Sequence, residues 1–409
     1  MSIHRWTRGF AAMSLLLPAL TASAADPGYA SSMQENTGPS FGTSSATSDK
    51  AFNPAISLIL SGRYASFTDH ADTWALPGFQ LGGETGERVE GFSLGESELN
   101  LRANIDDKFF GAATIALGED GAAVEEAYLQ TLALPDAFTI KAGKFLSDIG
   151  YQNRTHPHAD EFVDNPLVYD AFLGGRYADA GVQLTWLAPT STYLQFGTEL
   201  MSGEGFPAAG RDDHGRGAFS VFMNVGGDVG YSNSWLAGLS FLSADAIERP
   251  GTGEGDGPLF TGSSDLWIGS LVWKWSPNGN PRERNLELQT EVFSRSEDGV
   301  LDDGGIAGSY DGEQRGYYAQ AVYQFARQWR AGLRYDRLET DNRVSGLPPT
   351  LLDATAFTPA RSSVLLEYAN SEFSSVRLQF SHDASSLETG NAVFLQYVLV
   401  MGAHGAHTF

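Results

Sequence analysis

The sequence predicts an all-β chain: a transmembrane antiparallel β-barrel of about 16 strands, with short periplasmic turns and long extracellular loops. Three observations carry this prediction. Apolar and polar residues alternate with a period of two in segment after segment, which separates two faces on a strand and mixes them on a helix. The connections between those segments alternate between short and long, as in outer-membrane barrels. No window holds the 18 or more consecutive apolar residues of a membrane helix, although 42% of the 409 residues are hydrophobic and 12% aromatic.

The chain starts with a segment that reads as an export signal. Arg5 and Arg8 give a positive start, Phe10 to Leu20 is a short apolar core, and Ala22-Ser23-Ala24 offers a cleavage site. Residues 1–24 are therefore expected to be removed, leaving a mature chain that begins at Ala25. Residues 25–52, rich in Ser, Thr, Gly and Ala, read as a flexible extension. The barrel is expected over residues 53–409, in the outer membrane of a Gram-negative bacterium.

The strands follow in order. Ile56, Leu58, Leu60 and Tyr64 alternate with Ser57, Ser61 and Arg63. Leu99, Leu101, Ala103 and Ile105 oppose Glu96, Glu98, Asn100, Arg102 and Asn104. Runs over 109–117, 124–132 and 138–145 come next. Val182, Leu184 and Trp186 alternate with Gln183 and Thr185, and a run over 194–200 follows. Phe219 to Val225, Trp235 to Phe241 and Trp267 to Trp275 repeat the pattern. Leu286, Leu288 and Val292 oppose Glu287, Gln289, Glu291 and Arg295. Tyr317 to Phe325, Trp329 to Asp336, Val364 to Tyr368, Val376 to Ser381 and Val393 to Ala403 complete the set. Aromatics near the run ends suit an interfacial girdle.

Tight links are expected at 106–108, 134–137, 188–192, 326–327 and 370–372, and they make antiparallel neighbours. Long connections are expected at 68–90, 146–180, 202–217, 243–263, 297–315 and 338–359. This alternation puts both termini on the periplasmic side. The chain ends in Phe409, the residue type by which barrel-assembly machinery recognises a last strand.

Composition excludes several classes of function. Asp and Glu number 50 against 26 Lys and Arg, a formal net charge of −24, so nucleic acid is not an expected partner. The chain has no cysteine, which removes disulfides, thiolate metal sites and cysteine nucleophiles. No enzyme is expected: no G-x-S-x-G motif stands out, and Ser381 and His382, being adjacent on a strand, point to opposite faces.

Several short stretches resemble a group of Gram-negative envelope proteins. They are residues 90–101 (EGFSLGESELNL), 124–129 (VEEAYL), 141–145 (KAGKF), 156–162 (HPHADEF) and 402–407 (GAHGAH). That group is often labelled zinc-regulated TonB-dependent outer-membrane receptors, and the 124–129 and 141–145 pieces are also similar to O- and P-type phosphate-selective porins. TonB-dependent receptors need a 22-stranded barrel and a folded plug, which this chain is too short to supply. The resemblance therefore implies a porin-like channel for small hydrophilic solutes or ions. It also implies contact with outer-membrane lipid and lipopolysaccharide, and a homotrimer.

The candidate pore-lining residues are the charged ones on the polar faces: Glu96, Glu98, Arg102, Glu126, Lys141, Glu287, Glu291, Arg295, Arg330, Arg334, Glu367 and Arg377. Facing arrays of opposite sign across water would create a transverse field; alternatively they pair with one another along the wall. The longest connection, 146–180, is the candidate constriction. Within it His156, His158, Asp160 and Glu161 form the candidate metal set, because two imidazoles beside carboxylates suit Zn²⁺. No cofactor is required by this reading, and the acidic loops could take Zn²⁺ or Ca²⁺. The alternative to a pore is a metal-linked uptake or surface-binding barrel.

Overall fold

A computed structural model describes residues 54–69, 74–82, 85, 88–95, 97–118, 121–209, 217–251, 257–348, 350–353 and 356–402. The expected signal and extension, Glu96 and Phe409 lie outside the described residues. Among those residues the chain forms 17 strands in one antiparallel sheet. They are β1 (Ala55–Phe67), β2 (Gly91–Leu94), β3 (Ser97–Asn104), β4 (Phe109–Gly118), β5 (Gly121–Thr131), β6 (Phe138–Leu146), β7 (Ala178–Leu187), β8 (Tyr193–Met201) and β9 (Ala218–Val229). The second half comprises β10 (Asn233–Arg249), β11 (Leu259–Trp275), β12 (Asn285–Asp303), β13 (Ile306–Ala326), β14 (Trp329–Ser345), β15 (Ala360–Ser371), β16 (Ser374–Ala384) and β17 (Gly390–Gly402).

Strands β2 and β3 both pair with β1 and form one interrupted strand. Three steps of β1, Ile59 to Gly62, face four steps from Leu94 to Glu98, so a bulge divides it. β17 pairs with β1 from Ser57↔Gly402 to Phe67↔Ala392 and closes the ring. The result is a closed barrel of 16 strands, and each of the 16 alternating segments coincides with one of them. Among the described residues no helix is long and apolar enough to cross a membrane.

The outer face shows why the strands alternate. On β13 the outward residues Tyr317, Tyr323 and Phe325 are exposed and apolar, and on β14 so are Trp329, Leu333 and Tyr335. The apolar belt stops at one level. Beyond Tyr317 the outward residues of β13 become Arg315, Glu313 and Asp311; beyond Tyr335 those of β14 become Arg337, Glu339 and Asp341. Tyr317 is paired with Arg337, so both strands change character at the same height.

Three expected loops are corrected here. Residues 297–315 are almost wholly strand, because β12 and β13 continue to a turn at Gly304 and Gly305; β10 and β11 extend into 243–263, and β14 takes up 338–345 of the expected loop 338–359. The strand continues past the apolar belt, but its outward side chains there face water, so the apolar half of the alternation ends while the pairing does not. The inward face of this extension still packs, with Phe260, Leu301, Tyr310 and Leu352 in one buried cluster.

A larger apolar cluster lies inside the barrel. It joins wall residues such as Ile268, Phe293 and Tyr318 to two inward segments, Trp74 to Leu81 and Ile149 to Tyr177. The second segment includes the one α-helix among the described residues, α1 (Leu167–Leu173), of which six of seven residues are buried. The helix stops at Gly174, whose φ of 63° suits the left-handed position that ends helices.

Candidate functional site

Residues 147–177 leave the wall between β6 and β7 and cross the lumen. Asn153 closes the neck of this segment: its Nδ2 donates to the Ser147 and Tyr177 carbonyls at 2.8 and 2.9 Å, and its Oδ1 accepts from the Tyr177 N–H at 2.8 Å. Glu291 on β12 then holds the incoming chain. Its carboxylate accepts from the N–H groups of Tyr151 (2.6 Å) and Gln152 (3.2 Å) and from the hydroxyls of Tyr169 (2.8 Å) and Tyr318 (2.6 Å). Gly150, with φ of +68°, lies so close that a Cβ would sit 2.9 Å from Glu291 Oε1, so only glycine fits there.

The segment docks on the opposite wall, eight ring positions away. Asp164 Oδ1 accepts from Arg334 Nη2 at 2.6 Å and from Gln379 Nε2 at 2.7 Å, and its Oδ2 lies 3.3 Å from Arg361 Nη1. The Leu167 N–H donates to Asp336 Oδ1 at 3.0 Å. Burial pushes the Asp164 carboxyl up, but the two guanidinium groups outweigh it and hold the group well below the usual carboxylate range. At the neighbouring Asp170 burial wins: it is pushed up to about 7, with Asp164 adding to the effect and Arg361 opposing it. The segment Trp74 to Leu81 fills the space beside α1, where the Phe79 and Phe172 rings meet edge to face at 5.5 Å. Its Gly78 carbonyl accepts from Gln314 and Asn342, both at 2.8 Å.

The structure places the described pore-lining candidates on the inner face, mostly paired. Lys141 lies 3.8 Å from Asp148 and over the Tyr128 and Phe145 rings. Glu287 faces Lys274 at 3.3 Å. Arg295 is fully buried, donates to Gln314 at 2.7 Å and lies 3.6 Å from Glu297. Arg330 pairs with Glu161 and with Glu367 (3.4 Å), and Arg377 donates to Glu367 at 2.7 Å. Arg102 is half-buried on the same face of β3 as Glu98 and Asn100. Of the two expected arrangements, facing arrays or pairs along the wall, most of the described candidates adopt the second. Ser381 and His382 diverge as expected: Ser381 is buried against Ser363, and His382 is exposed beside Asn391.

The candidate metal set is divided. Asp160 pairs with Arg176 and accepts from Gln152 Nε2 at 3.0 Å, while Glu161 pairs with Arg330. The short 3₁₀ turn Pro157–Ala159 redirects the chain, so the carboxylates on its far side leave the histidines. His156 and His158 stay together, their rings stacked at 5.9 Å, and meet wall carboxylates. His156 Nε2 is 3.0 Å from Glu126 Oε2; its Nδ1 is 3.3 Å from Glu125 Oε2 and 3.6 Å from Glu98 Oε2. His158 Nδ1 is 2.6 Å from Glu98 Oε1. Burial alone would lower the His156 pKa, yet the nearby carboxylates of Glu125, Glu126 and Glu98 raise it well above an ordinary histidine.

Glu125 escaped the sequence reading for a local reason. Between β4 and β5 the register runs Thr114↔Glu126 and then Ile115↔Val124. Glu125 is the extra residue of a bulge, and so two successive carboxylates reach one imidazole where plain alternation would turn the first away. The arginines Arg249 and Arg361 and the acid Glu297 were also missed as lumenal groups. Arg249 and Glu297 lie in strand extensions that lack an apolar outer face.

One relative matches over nearly the whole chain. A protein of Aquifex aeolicus (strain VF5), named only as uncharacterized, is 33% identical over 393 residues, covering 88% of this chain and 81% of its own. The chain belongs to the family of that protein. No family model matches. Among solved structures, a loop L8 deletion mutant of OmpT, an outer-membrane protein of Vibrio cholerae, has a TM-score of 0.53 at 12% identity, covering 85% of this chain and 99% of its own. The anion-selective porin from Comamonas acidovorans gives 0.53 at 11%, with coverages of 85% and 99%. The outer-membrane channel DcaP of Acinetobacter baumannii gives 0.53 at 12%, with 87% and 99%. The family member described here thus shares the barrel fold of porins. None of these likenesses bears on zinc or on TonB.

Proposed function

We propose that the protein is an outer-membrane channel of a Gram-negative bacterium that passes small hydrophilic solutes or ions, with residues 147–177 as its constriction. The observation that carries this reading is a segment bound at His156 and His158 to Glu126 on β5 and Glu98 on β3, and at Asp164 to Arg334 and Arg361 on the opposite wall, in a barrel whose outer face is an apolar belt and whose inner face is charged and polar. The solved porins and channels with the same fold support it. Signal cleavage before Ala25, recognition of Phe409 by assembly machinery and a homotrimer, as in the trimer form of the Vibrio cholerae protein, belong to the same reading. Exposed acids beyond the belt, such as Asp311, Glu313, Glu339 and Asp341, favour cation entry.

The apolar cluster in the lumen supports a second reading, a barrel that is closed at rest and binds ligands on its outer loops. Planar-bilayer recording decides between them. The channel reading expects stepwise conductance and a reversal potential in a salt gradient that favours cations, weakening as salt is raised. A bilayer that stays sealed at high protein load would overturn it and favour the closed barrel.

A further inference from the structure

The groups around His156 have the composition and spacing of a metal centre. They come from three separate parts of the chain: Glu98 on β3, Glu125 and Glu126 on β5, and His156 with His158 in the 147–177 segment. His156 Nδ1 lies 3.3 Å from Glu125 Oε2 and 3.6 Å from Glu98 Oε2, and the three ligand atoms fall within 4.8 Å of one another. In a tetrahedral Zn²⁺ site with bonds near 2.0–2.2 Å, ligand atoms stand about 3.3–3.6 Å apart. Two of the three edges here have that length.

Two further observations point the same way. His156 Nδ1 and Glu125 Oε2 are shut off from solvent and have no hydrogen-bond partner; despite their proximity they are misaligned for a bond with each other. Buried polar atoms of that kind are uncommon and costly. Moreover, each of two inner groups is oriented from outside. The other ring nitrogen of His156 faces Glu126, and the other oxygen of Glu98 faces His158. A carboxylate behind a ligating histidine is the usual outer support of a metal site.

We propose that Glu98, Glu125 and His156 bind one divalent transition-metal cation of the Zn²⁺ class, with Glu126 and His158 as positioning residues. One nitrogen and two carboxylate oxygens suit Zn²⁺. Ca²⁺ prefers six to eight oxygens and is a poor match. Three protein ligands leave a fourth position for water or a solute group. Because one ligand is in the inward segment and two are in the wall, the bound ion clasps 147–177 to β3 and β5. The proposal does not depend on conduction.

Isothermal titration of the full-length mature barrel, refolded in detergent and stripped with chelator, tests it with ZnCl₂ and with CaCl₂. One Zn²⁺ per barrel is expected, with Ca²⁺ binding at least 100-fold weaker. His156→Ala and Glu125→Gln should each weaken Zn²⁺ at least tenfold. Glu125→Gln keeps the shape of the side chain, and heat-modifiable migration on a gel confirms that each variant is folded. No Zn²⁺ binding by the unmodified protein, or equal affinity in it and both folded variants, would overturn the assignment.

Discussion

At the scale of single residues, two carboxylates a few positions apart respond oppositely to being buried. Asp164 has two guanidinium partners and stays charged; Asp170 is dominated by desolvation. The sign of each pH effect follows. The folded pKa of Asp164 lies below its unfolded value near 3.9, so its contribution is present above that pH and fades as pH falls below about 4. The folded pKa of Asp170 is raised to about 7, so its cost accumulates as pH rises from about 4 to about 7. Hydrogen exchange across 147–177 should therefore show the segment loosening on both limbs. Asp164→Asn should remove the acid limb, and Asp170→Asn the rise between about pH 4 and 7. A segment whose protection is flat with pH in the unmodified protein would refute both assignments. These roles were only partly legible in the sequence. The loop and its acids could be listed, but their partners Arg334, Arg361 and Gln379 are some 170 to 215 positions away, and no spacing rule reaches that far.

Individual strands carry two signals, and these end at different places. The apolar outward residues mark the bilayer; the inward residues and the backbone pairing mark the strand. Where both are present, as in β3 or β16, a period of two locates the strand well. Where the outward face turns polar, as on β13 between Arg315 and Asp311, only the pairing reveals it. The belt itself predicts a position-dependent cost. Leu333 is 62% exposed and lies between Trp329 and Tyr335 on the outer face. Leu333→Arg should cost about 2–4 kcal/mol in urea unfolding from lipid vesicles, as a charge near the midplane does. Asp311→Arg, beyond the belt, should stay within about 0.5 kcal/mol. Equal costs at the two positions would mean that the bilayer does not sit at the level where the side chains change character. The bulge at Glu125 shows the other limit at this scale, because one extra residue reverses which side chains point inward without altering composition.

For the whole molecule, the feature on which the proposed channel reading turns is how the lumen is filled. A barrel of this strand number leaves room for an aqueous path, and here two connections turn back into it and build an apolar cluster against the wall. Glu291 is the main tie, with two backbone and two tyrosine donors aimed at one carboxylate. Glu291→Gln offers a single acceptor oxygen to four donors. With hydrogen bonds to charged groups contributing about 1.5–3 kcal/mol each, the segment should be held less tightly by at least about 2 kcal/mol. If the proposed channel reading holds, the variant should show larger or more fluctuating unit conductance in planar bilayers than the unmodified protein. Conductance identical in size and noise would indicate that ions do not pass beside 147–177.

The sequence by itself determined the architecture: the closed antiparallel barrel, its 16 strands, the outward belt and the charged inner face. Those depend on local alternation, which the chain repeats in every strand and which a one-dimensional reading can follow. It also located the histidine pair and the long connection that folds into the lumen. Only the tertiary structure decided which charges meet. It assigned Glu98, Glu125 and Glu126 to His156 in place of Asp160 and Glu161, and it tied Asp164 to the far wall. The physical reason is that an inward-folded segment chooses its partners across the lumen. Those contacts are set by barrel closure, register and a single bulge, none of which leaves a periodic trace in the residues it joins.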